Sequence, residues 1–84
     1  SNTLKVETKT EARFSIVVAS RVSKTNAEAY VAELTRRGFK DARVNERGHV
    51  KVVMGSFPTH EEAMNYLRKL RANQEFSGAW VVEL

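Results

Sequence analysis

The 84-residue sequence contains no cysteine, one proline and only four glycines. The absence of cysteine excludes a disulfide framework and a cysteine-ligated zinc site. No uninterrupted apolar run is longer than that of residues 16–19, which is far too short to cross a bilayer, since crossing takes about 20 residues. A chain of this length forms one domain with a thin core and leaves no room for a separate cofactor-binding domain.

A strong excess of one charge is also lacking. Fourteen Lys and Arg against ten Asp and Glu give a net charge of +4. Five of the cations lie near the ends of predicted helices, where the helix dipole favours positive charge: Arg36, Arg37, Arg68, Lys69 and Arg71. This mild basicity suits solubility and is no signature of nucleic-acid binding by itself.

The two halves of the chain repeat one pattern. A shift of 36 residues aligns Val17 with Val53, Ser20 with Ser56, Ala27 with Ala63, Tyr30 with Tyr66 and Leu34 with Leu70. A shift of 37 residues aligns Phe39 with Phe76, Ala42 with Ala79 and Val44 with Val81. Such agreement indicates an internal duplication in which each half is one supersecondary unit.

Each half predicts a strand, a helix and a second strand. Alternating hydrophobicity and turn residues predict strands at residues 14–19, 42–46, 50–55 and 79–83. The resulting βαββαβ order favours an α+β fold, the ferredoxin-like sandwich, with a four-stranded antiparallel sheet and two helices on one face. Residues 14–84 are expected to form this domain, and the polar residues 1–13 a flexible linker or tail.

The helix ends are marked by local signals. The S/T-x-x-E spacing of a capping box occurs at residues 25–28 and 59–62, so we expect Thr25 and Thr59 to cap the two helices. Gly38 is expected to end the first helix in a left-handed conformation. Asn73 is expected to end the second helix in the same way.

Strand alternation predicts the residues that face away from the helices. They are Ser15, Val17, Arg43, Asn45, Lys51, Val53, Trp80 and Val82, with His49 at the rim where the third strand starts. Trp80 is the most informative, because Ala79 and Val81 take the inward positions and leave its ring outside. An exposed indole is a flat apolar plate on which sugar rings or bases stack.

No pattern supports catalysis or metal binding. The only histidines, His49 and His60, are not clustered. No glycine-rich phosphate loop lies between Ala19 and Thr25, and no motif pairs a nucleophile with a base. We therefore expect a non-enzymatic module without cofactor or metal.

The doubled pattern resembles the SPOR domain, the sporulation-related repeat of bacterial envelope proteins. In that family a valine-rich strand runs into a Gly-Ser-Phe-like turn and a capped helix, and the unit is then repeated. The first copy here is IVVAS (residues 16–20) followed by NAE (26–28), and the second is VVMGSF (52–57) followed by EEA (61–63). The similarity covers residues 14–84.

The resemblance implies a module that binds peptidoglycan glycan strands, preferring strands without stem peptides, at the division septum. It implies glycan contacts at Trp80 as the fourth-strand aromatic, at Ser20 after the first strand, and roughly at His49 for the third-strand aromatic. Val17 departs from the family, which often has glutamine there. The resemblance also implies location in the bacterial cell envelope, within a longer protein anchored by a segment outside this sequence and without membrane insertion by this one.

Two other functions remain open from the residues alone. A ferredoxin-like domain could serve as a protein-docking or small-molecule regulatory domain, using exposed Val17, Val53 and Val82 as an apolar interface. RNA-recognition domains share the βαββαβ order, and RGHVKVVM (residues 47–54) begins like their third-strand signature. It lacks the aromatic residues on which bases stack, so nucleic acid is not expected as a partner.

Overall fold

The computed structural model describes residues 13–84, with four strands and two helices in the predicted order. The strands are β1 (Phe14–Ser20), β2 (Arg43–Asn45), β3 (Lys51–Phe57) and β4 (Trp80–Glu83), and the helices are α1 (Lys24–Arg36) and α2 (His60–Leu70). The strands form one antiparallel sheet in the order β2-β3-β1-β4. The predicted α+β fold is confirmed. Apart from Arg13, the tail predicted at residues 1–13 lies outside the described residues.

The two helices begin at different kinds of signal. Thr59 caps α2 as predicted, because its hydroxyl accepts a hydrogen bond from the Glu62 N–H at 3.1 Å. The prediction that Thr25 caps α1 is wrong. The cap is Ser23, whose hydroxyl accepts from the Asn26 N–H at 3.1 Å. No residue between Ser23 and Thr25 breaks a helix. Helix α1 therefore starts two residues earlier than predicted and is capped by the Ser23 hydroxyl.

Of the two predicted helix C-termini, one is confirmed and one is wrong. Gly38 stops α1 with φ at 102°, and the Phe39 N–H donates to the Leu34 carbonyl at 2.9 Å, the pattern of a Schellman motif. Asn73 does not end α2, which reaches its C-cap at Arg71. Instead, the Asn73 side chain accepts from the Glu75 N–H at 3.0 Å and caps a 3₁₀ turn at Gln74–Phe76.

One core lies between the sheet and the two helices. It is built from Ile16, Val52 and Met54 of the sheet, Ala27 and Leu34 of α1, Ala63, Leu67 and Leu70 of α2, and Ala42, Phe76 and Ala79 beside the outer strands. Burying each large aliphatic side chain contributes about 1.5–3 kcal/mol. Because equivalent positions of the two halves supply many of these residues, both helices lie on the same side of the sheet.

Each central strand contains a β-bulge at a similar place in its half. On β1 the pairing register shifts between residues 17 and 19, and on β3 it shifts between residues 54 and 57. Gly55 has φ at 77° in the second bulge. A bulge adds a residue and changes the face on which the following side chains lie. Ser20 consequently lies opposite Lys51, on the side away from the helices.

A hydrogen-bonded cluster connects α1 to the 3₁₀ turn. The Glu75 carboxylate accepts from the Arg37 guanidinium at 2.7 Å and from the Tyr30 hydroxyl at 2.5 Å. The hydrogen bonds from Arg37 and then Tyr30 lower the pKa of Glu75 below its usual value. Burial, followed by the bond to Glu75, raises the pKa of Tyr30 well above its usual value of 10. The cluster therefore contains a protonated phenol and an ionised carboxylate at neutral pH.

Tyr30→Phe should lower the free energy of unfolding by about 1.5–3 kcal/mol at pH 7, because it removes a hydrogen bond to a charged acceptor. Since the pKa of Tyr30 is higher in the folded protein, its contribution is complete below pH 10 and is lost as the pH rises through the folded-state value. The difference between wild type and variant should thus shrink above pH 10. Urea unfolding across this range measures it, and a difference that widens with pH would contradict the assignment.

Candidate functional site

The side of the sheet opposite the helices is called the open face below. Strand pairing places on it Arg13, Ser15, Val17 and Ser20 of β1 and its approach, Arg43 and Asn45 of β2, Lys51, Val53 and Ser56 of β3, and Trp80 and Val82 of β4. None of these side chains belongs to the core under the helices. The sequence-predicted site residues other than His49 thus share one surface.

Four residues in register, one from each strand, form a central row across the open face. Their order is Arg43, Val53, Val17 and Trp80. With strands about 4.8 Å apart, the Cα atoms of Arg43 and Trp80 are on the order of 14 Å from each other. Val17 and Val53 are equivalent positions of the duplication, and so are Arg43 and Trp80. An approximate twofold axis relating the halves therefore passes between the two valines.

Trp80 lies at one end of the central row and is 46% exposed. It is the one large apolar side chain that is exposed among residues 13–84. The alternation of β4 explains this, because Ala79 is buried and Val81 packs against the core. The ring is thus available as a stacking surface beside the strand that carries Val17.

The expectation that Ser15, Val17 and Val53 are exposed is wrong. All three point away from the helices but have 0% of their surface exposed. Arg43 gives part of the reason, since its side chain crosses β3 from β2 to reach Ser15 on β1. The open face therefore has little accessible aliphatic surface, which removes the apolar interface that a protein-docking domain would need from Val17 and Val53.

Arg43 is held in place by two hydrogen bonds. Its guanidinium donates to the Ser15 hydroxyl at 3.0 Å and to the Asp41 carbonyl at 3.1 Å. Ser15 is buried, so it does not itself present atoms to a ligand. It positions the guanidinium of Arg43 above the middle of the sheet.

Lys51 and Asn45 stabilise the turn between β2 and β3. The Lys51 ammonium donates to the backbone carbonyls of Arg47 and His49, the latter at 2.8 Å. The Asn45 side-chain oxygen accepts from the Arg47 N–H at 3.0 Å. Lys51 and Asn45 lie on the predicted face, and their polar groups are hydrogen-bonded within their own turn. His49 is exposed in this turn, outside β3.

The sequence prediction missed Arg13 and Ser56. The Arg13 guanidinium donates from Nε to the Ser56 hydroxyl at 3.1 Å and from Nη2 to the Ser56 carbonyl at 3.0 Å. The Arg13 carbonyl accepts from the Leu84 N–H at 2.9 Å, which extends the pairing of β1 and β4. Arg13 was assigned to the polar tail because the residues before it are polar. Alternation counted backward from Ser15 nevertheless places residue 13 on the same face.

The open face is positively charged. The ion pairs within residues 13–84 join Lys24 to Glu46, and Arg37 to Glu33 and Glu75. None of them involves Arg13, Arg43 or Lys51, so these three cations are not neutralised by a carboxylate of the described chain. Ser20 and Val82 complete the face as half-buried residues. The surface suits a neutral or anionic ligand with a flat apolar side.

Other kinds of site find little support in the described part of the chain. Residues 13–84 contain no group of three His, Asp or Glu side chains placed to hold a metal ion. Neither helix has the length and apolar character needed to cross a membrane.

Comparison with known proteins gives one match. The family model described as SPOR domain matches residues 10–83. No curated protein and no solved structure matches the chain. The match includes all four strands and both helices, and it begins before Arg13.

Proposed function

The chain belongs to the SPOR domain family of peptidoglycan-binding domains, which occur in cell envelope proteins, and on this premise we propose that its open face binds glycan strands. The preferred strands are those that have lost their stem peptides. Such strands arise where amidases act during cell division. Binding them would direct a longer envelope protein to the septum.

The observation that carries this proposal is the exposed ring of Trp80 on the same face as three cations that form no ion pair within residues 13–84. A pyranose ring has a face of C–H groups that packs on an indole, while its hydroxyls and acidic substituents need polar partners. The open face offers both, with Arg43 in the same row as Trp80. His49 and Ser20 are proposed as additional contacts at the rim of this surface.

Affinity for a single short strand should be modest. Each neutral hydrogen bond contributes about 1 kcal/mol net, and the surface is shallow. A sacculus presents many equivalent strands, so repeated sites can retain a protein that binds each one weakly. This is the behaviour expected of a targeting module.

Co-sedimentation with purified sacculi tests the proposal. The domain should be retained more strongly after an amidase has removed the stem peptides, and single-stranded RNA should not compete. Absence of retention on both preparations would refute peptidoglycan binding. Efficient competition by RNA would favour the nucleic-acid alternative instead.

Trp80→Ala should weaken binding to amidase-treated sacculi about tenfold or more, because stacking on an aromatic ring is worth on the order of 1–3 kcal/mol where it has been measured with bases. Trp80→Phe retains a ring and is the matched control, with an intermediate loss expected. Thermal unfolding should be nearly unchanged in both, since the ring lies outside the core. Undiminished binding by Trp80→Ala would exclude the ring from the site.

A further inference from the structure

Two arginines donate hydrogen bonds to serines that lie opposite each other on the open face. Ser15 on β1 lies opposite the bulged residues Gly55 and Ser56 of β3, because the register pairs residues 14 with 57 and 16 with 54. Arg43 reaches Ser15 from β2, and Arg13 reaches Ser56 from the start of β1. The bulge thus brings guanidinium groups from two distant parts of the sequence to neighbouring hydroxyls. Arg13 and Arg43 are called the arginine pair below.

The arginine pair has donors to spare. A guanidinium carries five N–H groups in a fixed plane. Arg43 donates one hydrogen bond to Ser15 and one to Asp41, and Arg13 donates two to Ser56. No carboxylate of residues 13–84 forms an ion pair with either. Within the described residues, the remaining donors and both charges thus have no carboxylate partner, and an anion can accept from them.

We propose that the arginine pair binds the lactyl carboxylate of muramic acid in glycan strands without stem peptides. This inference rests on the proposed function and names the chemical group that is recognised. In intact peptidoglycan the lactyl carboxyl is tied up in a neutral amide with the stem peptide. Amidase hydrolysis breaks that C–N bond by adding water and leaves a free carboxylate on the sugar and an amine on the peptide.

The chemistry of the pair explains a preference for such strands. A carboxylate accepts two parallel hydrogen bonds from a guanidinium, and these charge-assisted bonds are roughly twice as strong as neutral ones. A neutral amide offers one carbonyl acceptor and no charge. Arg43 lies in the row that ends at Trp80, so one strand can place a sugar ring on the indole and a carboxylate at the arginine pair.

The test compares two forms of one soluble ligand. Glycan fragments released from amidase-treated sacculi are used either unmodified or with their lactyl carboxylates converted to neutral amides. Trp80 is the sole tryptophan, so its fluorescence can report binding of both forms. The wild-type domain should bind the carboxylate form about tenfold more tightly, and added salt should reduce this preference because exposed charges are screened.

The variant that tests the pair is Arg13→Gln with Arg43→Gln. It should bind both ligand forms equally, with the affinity of wild type for the amidated form. The matched control, Arg36→Gln with Arg68→Gln, removes the same charge from the helices and should retain the tenfold preference. Circular dichroism and thermal unfolding establish that both variants are folded.

The outcomes separate the inference from the function on which it rests. If wild type binds both ligand forms equally, or if the Arg13/Arg43 variant keeps the preference, the carboxylate site is wrong while glycan binding stands. If the helix-side control loses the preference as well, net charge rather than the arginine pair is responsible, which also overturns the inference. If neither glycan nor sacculi are bound at all, the proposed function itself fails.

Discussion

Phe76→Ala is expected to lower the free energy of unfolding by about 3–5 kcal/mol, the usual cost of truncating a buried phenylalanine. The Phe76 side chain is 1% exposed and packs edge-on against Phe39, with ring centroids 5.5 Å apart. It closes the core where the 3₁₀ turn leads into β4. Because a small domain has only about 5–15 kcal/mol of stability, the variant should be largely destabilised. Urea unfolding monitored by circular dichroism measures the loss.

Two companion variants show whether the loss comes from core packing. Phe76→Leu keeps most of the apolar volume and should cost less than half as much. Trp80→Ala removes a larger side chain from the exposed side of the sheet and should cost less than Phe76→Ala. If Trp80→Ala proves the more destabilising of the two, the indole belongs to the core and its proposed role in binding is wrong.

Gly55→Ala should lower the free energy of unfolding by about 2–5 kcal/mol. The left-handed backbone at this residue costs an L side chain about 1–2 kcal/mol. A methyl group would also lie 2.5 Å from the ring of Phe57, which is packed against Tyr66 with centroids 5.2 Å apart. Moving that ring in a packed environment costs about 1–3 kcal/mol more.

Two other glycines separate these causes. Gly48 has φ at 71° with nothing within 4 Å of an added methyl group, so Gly48→Ala should show the backbone cost alone. Gly78 has neither a left-handed φ nor a neighbour within that distance, and Gly78→Ala should change stability by less than about 0.5 kcal/mol. Equal losses at Gly55 and Gly48 would show that the Phe57 ring moves aside without cost. Thermal and urea unfolding of the three variants provide the comparison.

Features set by neighbouring residues were predictable from the sequence. Gly38 and Thr59 do what their types and positions predict, since a left-handed stop and a hydroxyl cap depend on a few adjacent backbone groups. The prediction that Thr25 caps α1 was wrong because Ser23 offers a hydroxyl of the same kind two residues earlier. The prediction that Asn73 ends α2 was wrong because an asparagine side chain can cap a following turn as readily as its backbone can end a helix.

The bulges were beyond prediction from one sequence. Nothing in the valine-rich residues 16–18 indicates where an extra residue enters the ladder, although Gly55 hints at the second bulge. Strict alternation therefore predicts the direction of Ser15, Val17 and Trp80 correctly and places Ser20 on the wrong side. The duplication was enough to predict the order of strands and helices. The local register could not be predicted in the same way, because it depends on how two strands pair.

The site was predictable in direction and less so in accessibility. Periodicity tells which side of a strand a residue faces but not what lies across it, and the burial of Val53 depends partly on an arginine that leans over from β2. The hydrogen bonds of Lys51 to its own turn likewise depend on the shape of that turn. Arg13 was missed because its partner Ser56 is distant in the sequence.

The approximate twofold axis between Val17 and Val53 has a consequence for a polymer with two different ends. A perfectly symmetric row would accept a strand equally well in either direction, because rotation about the axis exchanges the two orientations. Arg43 and Trp80 occupy equivalent positions but share no chemistry, so reversing the strand brings sugar faces to a cation and acidic groups to an indole. A difference of about 1.4 kcal/mol suffices for a tenfold bias. On the proposed function, we therefore expect the central row to bind a strand in one direction in preference to the other, and so to distinguish its reducing from its non-reducing end.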